Sequence, residues 1–392
     1  MAGVISRGIQ GPIIREGDDI VDIVVKSVYA SEQADGYTLQ NRDVIAVTES
    51  VVARAQGNYV TVDQVAQDIR AKFPAKKLGL VFPILSRNRF SMCLKAIARA
   101  MDEVVVLFSY PNDEVGNPLM VRSAYLKNRY SGVYDFEEAD FVKTFGSPVH
   151  PFTGVNYLDF YREVIESEGA KATFLFSNDC RYIASYCDSI LCCDIHTRNE
   201  TRDVLQSMGK QVLTLADIMN APVDGSGYHE AYGMLGSNKA NEEKLKLFPR
   251  NCQPVVEGIQ ARIKAERGLD VEVMVYGDGA FKDPVGKIWE LADPVVSPAY
   301  TAGLEGTPNE LKLKYLADND FADLSGEALR DAIKGEIKKK DGSLVGKMAA
   351  QGTTPRRLTD LIGSLCDLTS GSGDKGTPIV YIQGYFDNYT TE

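Results

Sequence analysis

Between residues 76 and 215 the sequence alternates short apolar strand patterns with helical patterns, and this alternation restricts the possible folds more than any other feature. The predicted strands cover residues 78–82, 103–108, 172–176, 190–195 and 211–215, and the predicted helices cover 91–101, 157–167, 179–187 and 199–208. Strands joined by helices of this length form right-handed crossovers and lie parallel in one sheet. We therefore predict a doubly wound, Rossmann-like α/β unit over residues 76–227.

The segments on either side of this unit have a different pattern. Their predicted elements are a helix capped by Asp18 or Asp19 and strands over residues 43–50, 271–276 and 379–383. Two of these strands end next to polar or glycine-rich loops, where α/β folds place ligand contacts. We predict that residues 1–75 and 228–392 form one α/β core domain and that residues 76–227 are inserted into it.

The charge balance excludes several classes of partner. The chain has 43 Lys and Arg residues against 54 Asp and Glu residues, a formal net charge of -11. Nucleic acids and anionic membranes bind clustered basic residues, so we expect neither as a partner. The sequence has no run of roughly 20 apolar residues and no secretory signal pattern, so we expect a cytoplasmic protein. An anionic substrate would have to meet a local cluster of positive charge.

Cys192, Cys193, Asp194 and His196 are close enough in sequence to suggest a metal site, but the same segment also fits a buried strand. Neighbouring side chains of a strand point to opposite faces and cannot close on one ion. The seven cysteines include no CxxC pair, so neither a disulfide framework nor a zinc knuckle is indicated. We favour reduced, buried thiols, because free cysteine commonly behaves as a small apolar side chain.

Three segments near the two ends of the chain carry a family resemblance. They are Gly-Pro-Ile-Ile-Arg-Glu-Gly-Asp-Asp over residues 11–19, Val-Thr-Glu-Ser-Val-Val-Ala-Arg-Ala-Gln-Gly over 47–57, and Gly-Ser-Gly-Asp-Lys-Gly-Thr-Pro-Ile-Val-Tyr-Ile-Gln-Gly over 371–384. In this order they resemble the coenzyme F420-0:L-glutamate ligases, also called F420-0 gamma-glutamyl ligases. The similarity covers roughly residues 5–75 and 228–388, and the stretch between looks like an insertion that the short ligases lack.

The resemblance implies a fold, an activity and a set of partners. Enzymes of this family are dimeric α/β proteins that use GTP and a divalent metal, Mg²⁺ or Mn²⁺, to join glutamate to a carboxylate of the deazaflavin precursor. The implied route passes through an acyl phosphate, which the amine of glutamate then attacks. Such chemistry depends on cations and hydrogen-bond donors placed around the phosphates. The expected partners are therefore a nucleotide, a small carboxylate acceptor, an amino acid and a second copy of the chain.

The resemblance also implies which residues form the site. The residues that match nucleotide contacts of the family are Gly11, Pro12, Ile13, Ile14, Glu49, Ser50, Arg54, Asn238, Gly371, Ser372, Gly373, Asp374, Lys375, Gly376, Thr377 and Pro378. The position of Arg54 is usually lysine in the family. Asp278 matches an acidic metal ligand, and Gly279 and Ser372 occupy two further metal-site positions.

Several positions depart from the family pattern. Leu235 stands where the family has a metal-binding aspartate, Ser372 where it has a glutamate or glutamine, and Gly279 where it often has a threonine. Mg²⁺ and Mn²⁺ prefer oxygen ligands, so we expect a weakened two-metal site or a site for one metal. The nearby groups that could act as replacements, or could equally be solvated loop residues, are Asp283, Asp374 and Lys282.

The predicted insertion has binding candidates of its own. Arg87, Asn88 and Arg89 follow its first strand, and Asn178 and Asp179 follow a later one. These positions are the carboxyl ends of strands, where open α/β sheets bind ligands. The sequence has neither a GxGxxG nor a Walker A motif, which argues against a dinucleotide or P-loop site.

Two functions from different classes remain open at this stage. The first is a nucleotide- and metal-dependent ligase that forms a γ-glutamyl or other amide bond. The second is a small-molecule- or nucleotide-binding regulatory protein that kept the fold and lost metal ligands, as Leu235 and Ser372 would allow. A separate activity within the insertion is a third hypothesis.

Overall fold

The computed structural model of the chain describes residues 3–391 except residues 88, 130, 131, 133, 152, 279–294, 341, 351–355 and 371–373. These residues form three β-sheets with helices packed against them, a mixed α/β fold as the sequence predicts. Within the described ranges, none of the helices combines the length and the apolar content needed to cross a lipid bilayer.

The strands and helices follow one another along the whole chain. The strands are β1 (Ile5–Ile9), β2 (Val44–Thr48), β3 (Tyr59–Thr61), β4 (Lys77–Val81), β5 (Glu103–Phe108), β6 (Phe136–Glu137), β7 (Lys171–Phe176), β8 (Ser189–Cys192), β9 (Gln211–Thr214), β10 (Asn238–Asn241), β11 (Lys244–Lys246), β12 (Glu272–Asp278), β13 (Val295–Tyr300) and β14 (Ile379–Gln383). The helices are α1 (Ile20–Asp35), α2 (Glu49–Gln56), α3 (Val62–Lys72), α4 (Phe90–Ala100), α5 (Arg122–Asn128), α6 (Glu138–Phe145), α7 (Tyr157–Ser167), α8 (Arg198–Ser207), α9 (Gln253–Arg267), α10 (Leu313–Tyr315), α11 (Gly326–Lys339) and α12 (Leu358–Thr369).

The first sheet has five strands in the order β1-β14-β2-β12-β13. Strand β2 runs parallel to β12, with Thr48 opposite Tyr276, and β14 runs antiparallel to both β1 and β2. Alternate side chains of β2 point to opposite faces, so Ile45 packs with α1 and α9 while Val44 packs with α12. Helices therefore cover both faces of the central strands.

The six-stranded sheet has the order β6-β7-β5-β4-β8-β9. The strands β7, β5, β4, β8 and β9 run parallel to one another, and the edge strand β6 is antiparallel to β7. From β4 the chain winds outward through β5 to β7 on one side and later through β8 to β9 on the other. Helices α4 and α7 pack on one face and α8 on the other, which makes this a doubly wound unit. The winding direction reverses between β4 and β8.

The third sheet, in the order β10-β11-β3, joins the regions that carry the two larger sheets. Helix α3 packs against α4, and one buried cluster includes Ile69 of α3, Leu94 of α4 and Leu245 of β11. This packing crosses the boundaries expected near residues 75 and 228. The division of the chain into a core domain and an insertion stays a prediction.

Most predicted elements lie where the sequence patterns put them. The bounds of β5, α7 and β14 coincide with the predicted ranges, and Asp19 caps α1 by accepting from the backbone N of Asp22 at 3.0 Å. The prediction of a strand over residues 43–50 was wrong at its end. Strand β2 stops at Thr48, and Glu49 begins α2, where its carboxylate is favoured by the positive end of the helix dipole.

Two further elements differ from their predictions. The helix expected over residues 179–187 is a short 3₁₀ helix over Cys180–Ser185, and β8 ends at Cys192 instead of continuing to residue 195. Beyond Cys192, the carboxylate of Asp194 accepts hydrogen bonds from the hydroxyls of Thr197 and Thr201. These bonds turn the chain into α8 and end the strand.

Candidate functional site

Loops from distant parts of the chain meet at one edge of the five-stranded sheet. Because β14 lies between β1 and β2 and is antiparallel to both, the residues that follow β1 and β2 lie beside those that precede β14. The backbone N of Gly11 donates to the carbonyl of Gly376 at 3.1 Å, and that of Thr48 donates to the carbonyl of Pro378 at 3.0 Å. The first loop, the start of α2 and the closing loop therefore form one continuous surface.

A cleft of about 950 Å³ opens beside this surface, at the carboxyl ends of the parallel strands β2 and β12. Open α/β sheets bind their ligands at this end. The cationic side chains that line the cleft are Arg15, Arg54, Arg89, Lys239, Lys244 and Lys246, and the acidic ones are Glu16, Glu49 and Asp367. Among the described residues that line the cleft, cations outnumber anions two to one, although the whole chain has a net charge of -11. The cleft thus supplies the local positive charge that an anionic substrate requires.

The hairpin β10–β11 places two of these lysines. Lys244 and Lys246 lie on either side of Leu245, which is fully buried, so both lysines share the opposite face of the strand. The Nζ of Lys244 lies 4.4 Å from the centre of the Tyr59 ring. Pairing of β11 with β3 holds this lysine-bearing face over the cleft.

A buried ion pair crosses the floor of the cleft. The Nζ of Lys246 donates to both carboxylate oxygens of Glu49, at 2.7 and 3.0 Å. The two side chains are only 7% and 2% exposed. Removing one member of a buried ion pair is costly, because the remaining buried charge loses the stabilisation that it received from its partner.

Gly277 makes room for Glu49 at the end of β12. A Cβ atom at residue 277 would lie 2.2 Å from the Cγ of Glu49, which is closer than any real contact. The next residue, Asp278, ends the strand, and its backbone pairs with Val295. The absence of a side chain at residue 277 therefore lets α2 approach β12 closely beside the residue predicted to hold a metal.

A comparison with protein families identifies the family of the chain. The model for the family described as F420-0:Gamma-glutamyl ligase matches residues 8–384, from near the end of β1 to the residue after β14. The chain belongs to this family. A comparison with curated proteins found no match. Because the chain belongs to this family, we interpret the cleft in terms of a gamma-glutamyl-ligase type of activity.

Most of the residues that the family resemblance assigned to the nucleotide lie on or beside the cleft. Those that line it are Glu49, Ser50, Arg54 and Asn238. The loop of Gly11, Pro12, Ile13 and Ile14 adjoins it, because the Nε of Arg54 donates to the carbonyl of Ile14 at 3.1 Å. The described part of the closing loop also adjoins the cleft, because the carbonyls of Gly376 and Pro378 accept from the backbone N atoms of Gly11 and Thr48. This part comprises Asp374, Lys375, Gly376, Thr377 and Pro378. Their role in binding a nucleotide stays a prediction.

Other assigned positions lie outside the described residues. These are Gly279, Gly371, Ser372 and Gly373, the possible replacements Lys282 and Asp283, and the side chain of Asp278. Within the part of the chain that the structure describes, no three His, Cys, Asp or Glu side chains are grouped to hold a metal ion. Glu49, the carboxylate on the cleft floor, is paired with Lys246. The metal assignment therefore stays a prediction too.

Sequence reasoning missed the lysines of the hairpin. Lys239, Lys244 and Lys246 line the cleft, but none of them was predicted as a site residue. The signal that could have found two of them is the run Lys-Leu-Lys-Leu over residues 244–247, whose period of two is typical of a strand with one charged and one apolar face.

The candidates within the doubly wound unit divide into two groups. Arg89 lines the cleft. Asn178, in contrast, uses its amide group to bond the backbone N and carbonyl of Tyr110, and Asp179 pairs with Arg181 at 2.6 Å. The Arg181 guanidinium holds the pKa of Asp179 below its ordinary value. Both residues also line a separate cavity of about 340 Å³, so a binding role for Asn178 and Asp179 stays a prediction.

The cysteine-rich segment is buried, as the strand interpretation expected. Cys192 and Cys193 are fully buried, and burial raises the pKa of both thiols. Asp194 is also fully buried, and burial raises the pKa of its carboxyl group to about 6 despite hydrogen bonds from Thr201 and Thr197. These groups support the start of α8, and we assign them no ligand.

Proposed function

We propose that the protein is a nucleotide- and metal-dependent acid–amino-acid ligase that activates a carboxylate acceptor as an acyl phosphate and joins it to glutamate or a related amino acid. The observation that carries this proposal is the cationic cleft at the carboxyl ends of β2 and β12 in a chain with a net charge of -11. Phosphoryl transfer needs positive charge placed in advance around the phosphate oxygens, and the cleft is a large cationic cavity of that kind.

The proposed reaction has two steps. An oxygen of the acceptor carboxylate attacks the γ-phosphorus of GTP or a related nucleotide, and the nucleoside diphosphate leaves. The amine nitrogen of the amino acid then attacks the acyl carbon, inorganic phosphate leaves, and the nitrogen loses a proton to give the amide. Family membership supports glutamate as the amino acid and coenzyme F420-0 as the first acceptor to test.

In this proposal the residues of the cleft bind and orient the phosphates. Arg15, Arg54 and Lys244 offer cationic donors, and Asn238 offers an amide at the edge of the hairpin. Backbone N–H groups of the glycine-rich closing loop add donors that need no side chain. A divalent cation, Mg²⁺ or Mn²⁺, would neutralise phosphate charge when bound, and Asp278 at the end of β12 is the proposed ligand.

The experiment that tests the proposal is a thermal-shift measurement on the full chain with GTP, ATP and GDP, each with and without Mg²⁺ or Mn²⁺. A nucleotide at about 100 times its dissociation constant should stabilise the protein by about 2.7 kcal/mol. Asp278→Ala should abolish the metal-dependent part of this stabilisation. The matched control is Asp270→Ala, because Asp270 is an exposed residue just before the opposite end of β12.

Turnover separates this function from a second candidate. Phosphate release that requires nucleotide, glutamate and F420-0 together supports the ligase, and the absence of stabilisation by every nucleotide tested contradicts it. Nucleotide binding without turnover would favour a binding or regulatory protein on the same fold. The observation in favour of that second candidate is Leu235, which is buried among apolar residues at the position of a family metal ligand.

The homodimer that the resemblance implies is also part of the proposal. Sedimentation equilibrium of the full chain at several protein concentrations tests it directly. A monomeric mass at every concentration would overturn the dimer and leave the proposal about the cleft intact.

A further inference from the structure

A second cavity lies at the point where the winding of the six-stranded sheet reverses. Its walls include Ile84 and Phe90 from the chain after β4, and Cys193 and Ile195 from the loop after β8. In doubly wound sheets, the crevice between the carboxyl ends of the two strands at this point is the usual place for a ligand. Tyr232, Leu235 and Phe248, which follow the sheet in the chain, close the cavity from the other side.

This cavity, here called the slot, is small and apolar. Its volume is about 50 Å³, against about 150 Å³ for a protein cavity that holds benzene. Apart from Arg89 and Ser237, the described residues that line it are hydrophobic residues, cysteines, a tyrosine and a glycine. A short alkyl group fits such a space, whereas a bulky ring does not.

The slot adjoins the cationic cleft. Arg89 lines both spaces, and the consecutive residues Ser237 and Asn238 line the slot and the cleft respectively. The two spaces are therefore neighbours at this point. Ser237 is held by Cys93, whose Sγ lies 3.6 Å from its Oγ. A molecule with a carboxylate in the cleft near Arg89 can therefore extend an apolar group into the slot.

Hydrogen bonds from one turn hold both walls of the slot. The carboxylate of Asp113 accepts from the backbone N of Leu85 at 2.8 Å, next to Ile84 in the first wall. The carboxylate of the following residue, Glu114, accepts from the backbone N of Ile195 at 2.7 Å in the second wall. A pocket whose walls are fixed in advance binds a ligand at a lower entropic cost.

An unusual backbone conformation lies just before the first wall, two residues from Ile84. Phe82, directly after β4, has a φ of +51°, a value that bulky side chains rarely adopt. Its backbone N donates to the carbonyl of Leu107, which holds the conformation in place. Such conformations concentrate at ligand sites, where the surrounding structure maintains them.

We infer that the slot binds a short alkyl group of the acceptor while the acceptor carboxylate lies in the cleft, so that the slot selects acceptors by the length of their apolar part. The inference rests on the proposed function for the identity of the carboxylate. It gives the doubly wound unit a role in choosing the acceptor, and it accounts for an apolar residue at position 235, because Leu235 is part of the lining.

The test uses the straight-chain carboxylates from acetate to octanoate as probes. Their dissociation constants are measured by calorimetry on the full chain with the nucleotide and metal that give the largest thermal shift. If the slot buries the chain, affinity should rise about fourfold for each methylene and then stop rising once the slot is full. An affinity that does not depend on chain length overturns the inference.

Two substitutions at Cys93 make the test specific. Cys93→Leu fills the slot and should shorten the preferred chain by about one or two carbons, whereas Cys93→Ala enlarges it and should lengthen the preferred chain by about one. Loss of folding cannot produce opposite shifts. The control is Cys252→Ala, because Cys252 is equally buried but packs in the core of the five-stranded sheet.

The failure of this inference can be distinguished from failure of the proposed function. Nucleotide stabilisation with no effect of Cys93 on chain-length preference overturns the inference alone. A chain-length preference that shifts with Cys93 but needs no nucleotide supports the slot and counts against the ligase.

Discussion

Lys246 and Glu49 form an ion pair that joins the hairpin β10–β11 to the first turn of α2, and both side chains are almost completely buried. Lys246→Met removes the cation and leaves the carboxylate of Glu49 in a site with little water. We expect the free energy of unfolding to fall by about 3–5 kcal/mol. Urea denaturation followed by circular dichroism measures this change.

The double variant Glu49→Gln/Lys246→Met is the control for this prediction. It removes both charges, so it should be more stable than Lys246→Met alone. If the two single substitutions instead have small and additive effects, the pair does not hold the hairpin against α2.

Gly277→Ala should damage the same region by steric means. The added Cβ would lie 2.2 Å from the Cγ of Glu49, so the helix or the strand has to move. We expect a loss of about 1–3 kcal/mol of stability and a weaker thermal shift with nucleotide. Gly335→Ala is the matched control: Gly335 lies within α11 with open space around it, so alanine should stabilise the protein by about 0.5–1 kcal/mol. Equal effects of the two substitutions would contradict the close approach of α2 to β12.

The sequence predicts the fold better than it predicts the site. Strands such as β5 and helices such as α7 follow from continuous apolar runs and helical periodicity, which are local properties of the chain. The pairing of Lys246 with Glu49 joins residues far apart in sequence, and it depends on how β11 pairs with β3. The run Lys-Leu-Lys-Leu over residues 244–247 predicts a strand with one charged face, but no local pattern contains the register that places this face beside Glu49.

The same distinction applies to Asp113. Its sequence neighbours, Asn112 and Glu114, suggest an exposed acidic turn, yet the residue is buried and accepts hydrogen bonds from the backbone N atoms of Leu85, Val115 and Asn117. A buried carboxylate can be stable when its oxygens are satisfied in this way. Its environment comes from the loop after β4, which is distant in sequence.

Asp113 should make stability depend on pH. Burial raises the pKa of its carboxyl group from 3.8 to about 6, so the folded protein binds this proton more tightly than the unfolded chain. The resulting stabilisation is complete below about pH 4 and is lost as the pH rises through about 6. Relative to Asp113→Asn, the wild type should therefore be more stable at pH 4.5 than at pH 7.5. The free energy of unfolding of the wild type minus that of the variant should be greater at pH 4.5 by about 2 kcal/mol.

Asp188→Asn is the control for this pH dependence. Asp188 is exposed, and its hydrogen bond to Lys210 lowers the pKa of the carboxyl group, so its stabilising effect is lost only as the pH falls below about 4. The difference between wild type and Asp188→Asn should hardly change between pH 4.5 and 7.5. If the difference in unfolding free energy between the wild type and Asp113→Asn is also the same at both pH values, the carboxyl group of Asp113 does not titrate in this range.

Glu114 should control the local stability of the loop after β8. Its carboxylate accepts from the backbone N atoms of Ile195, His196 and Thr197, so both oxygens are used. In Glu114→Gln the new NH₂ group can no longer accept, and at least one of these backbone groups loses its partner at a cost of about 1–3 kcal/mol. Hydrogen exchange of residues 195–197 should become faster, whereas Glu163→Gln on the exposed face of α7 should leave it unchanged. If exchange is unchanged in Glu114→Gln, other contacts hold this wall of the slot. In that case the preference for carboxylates of a given chain length should also be the same in the variant as in the wild type.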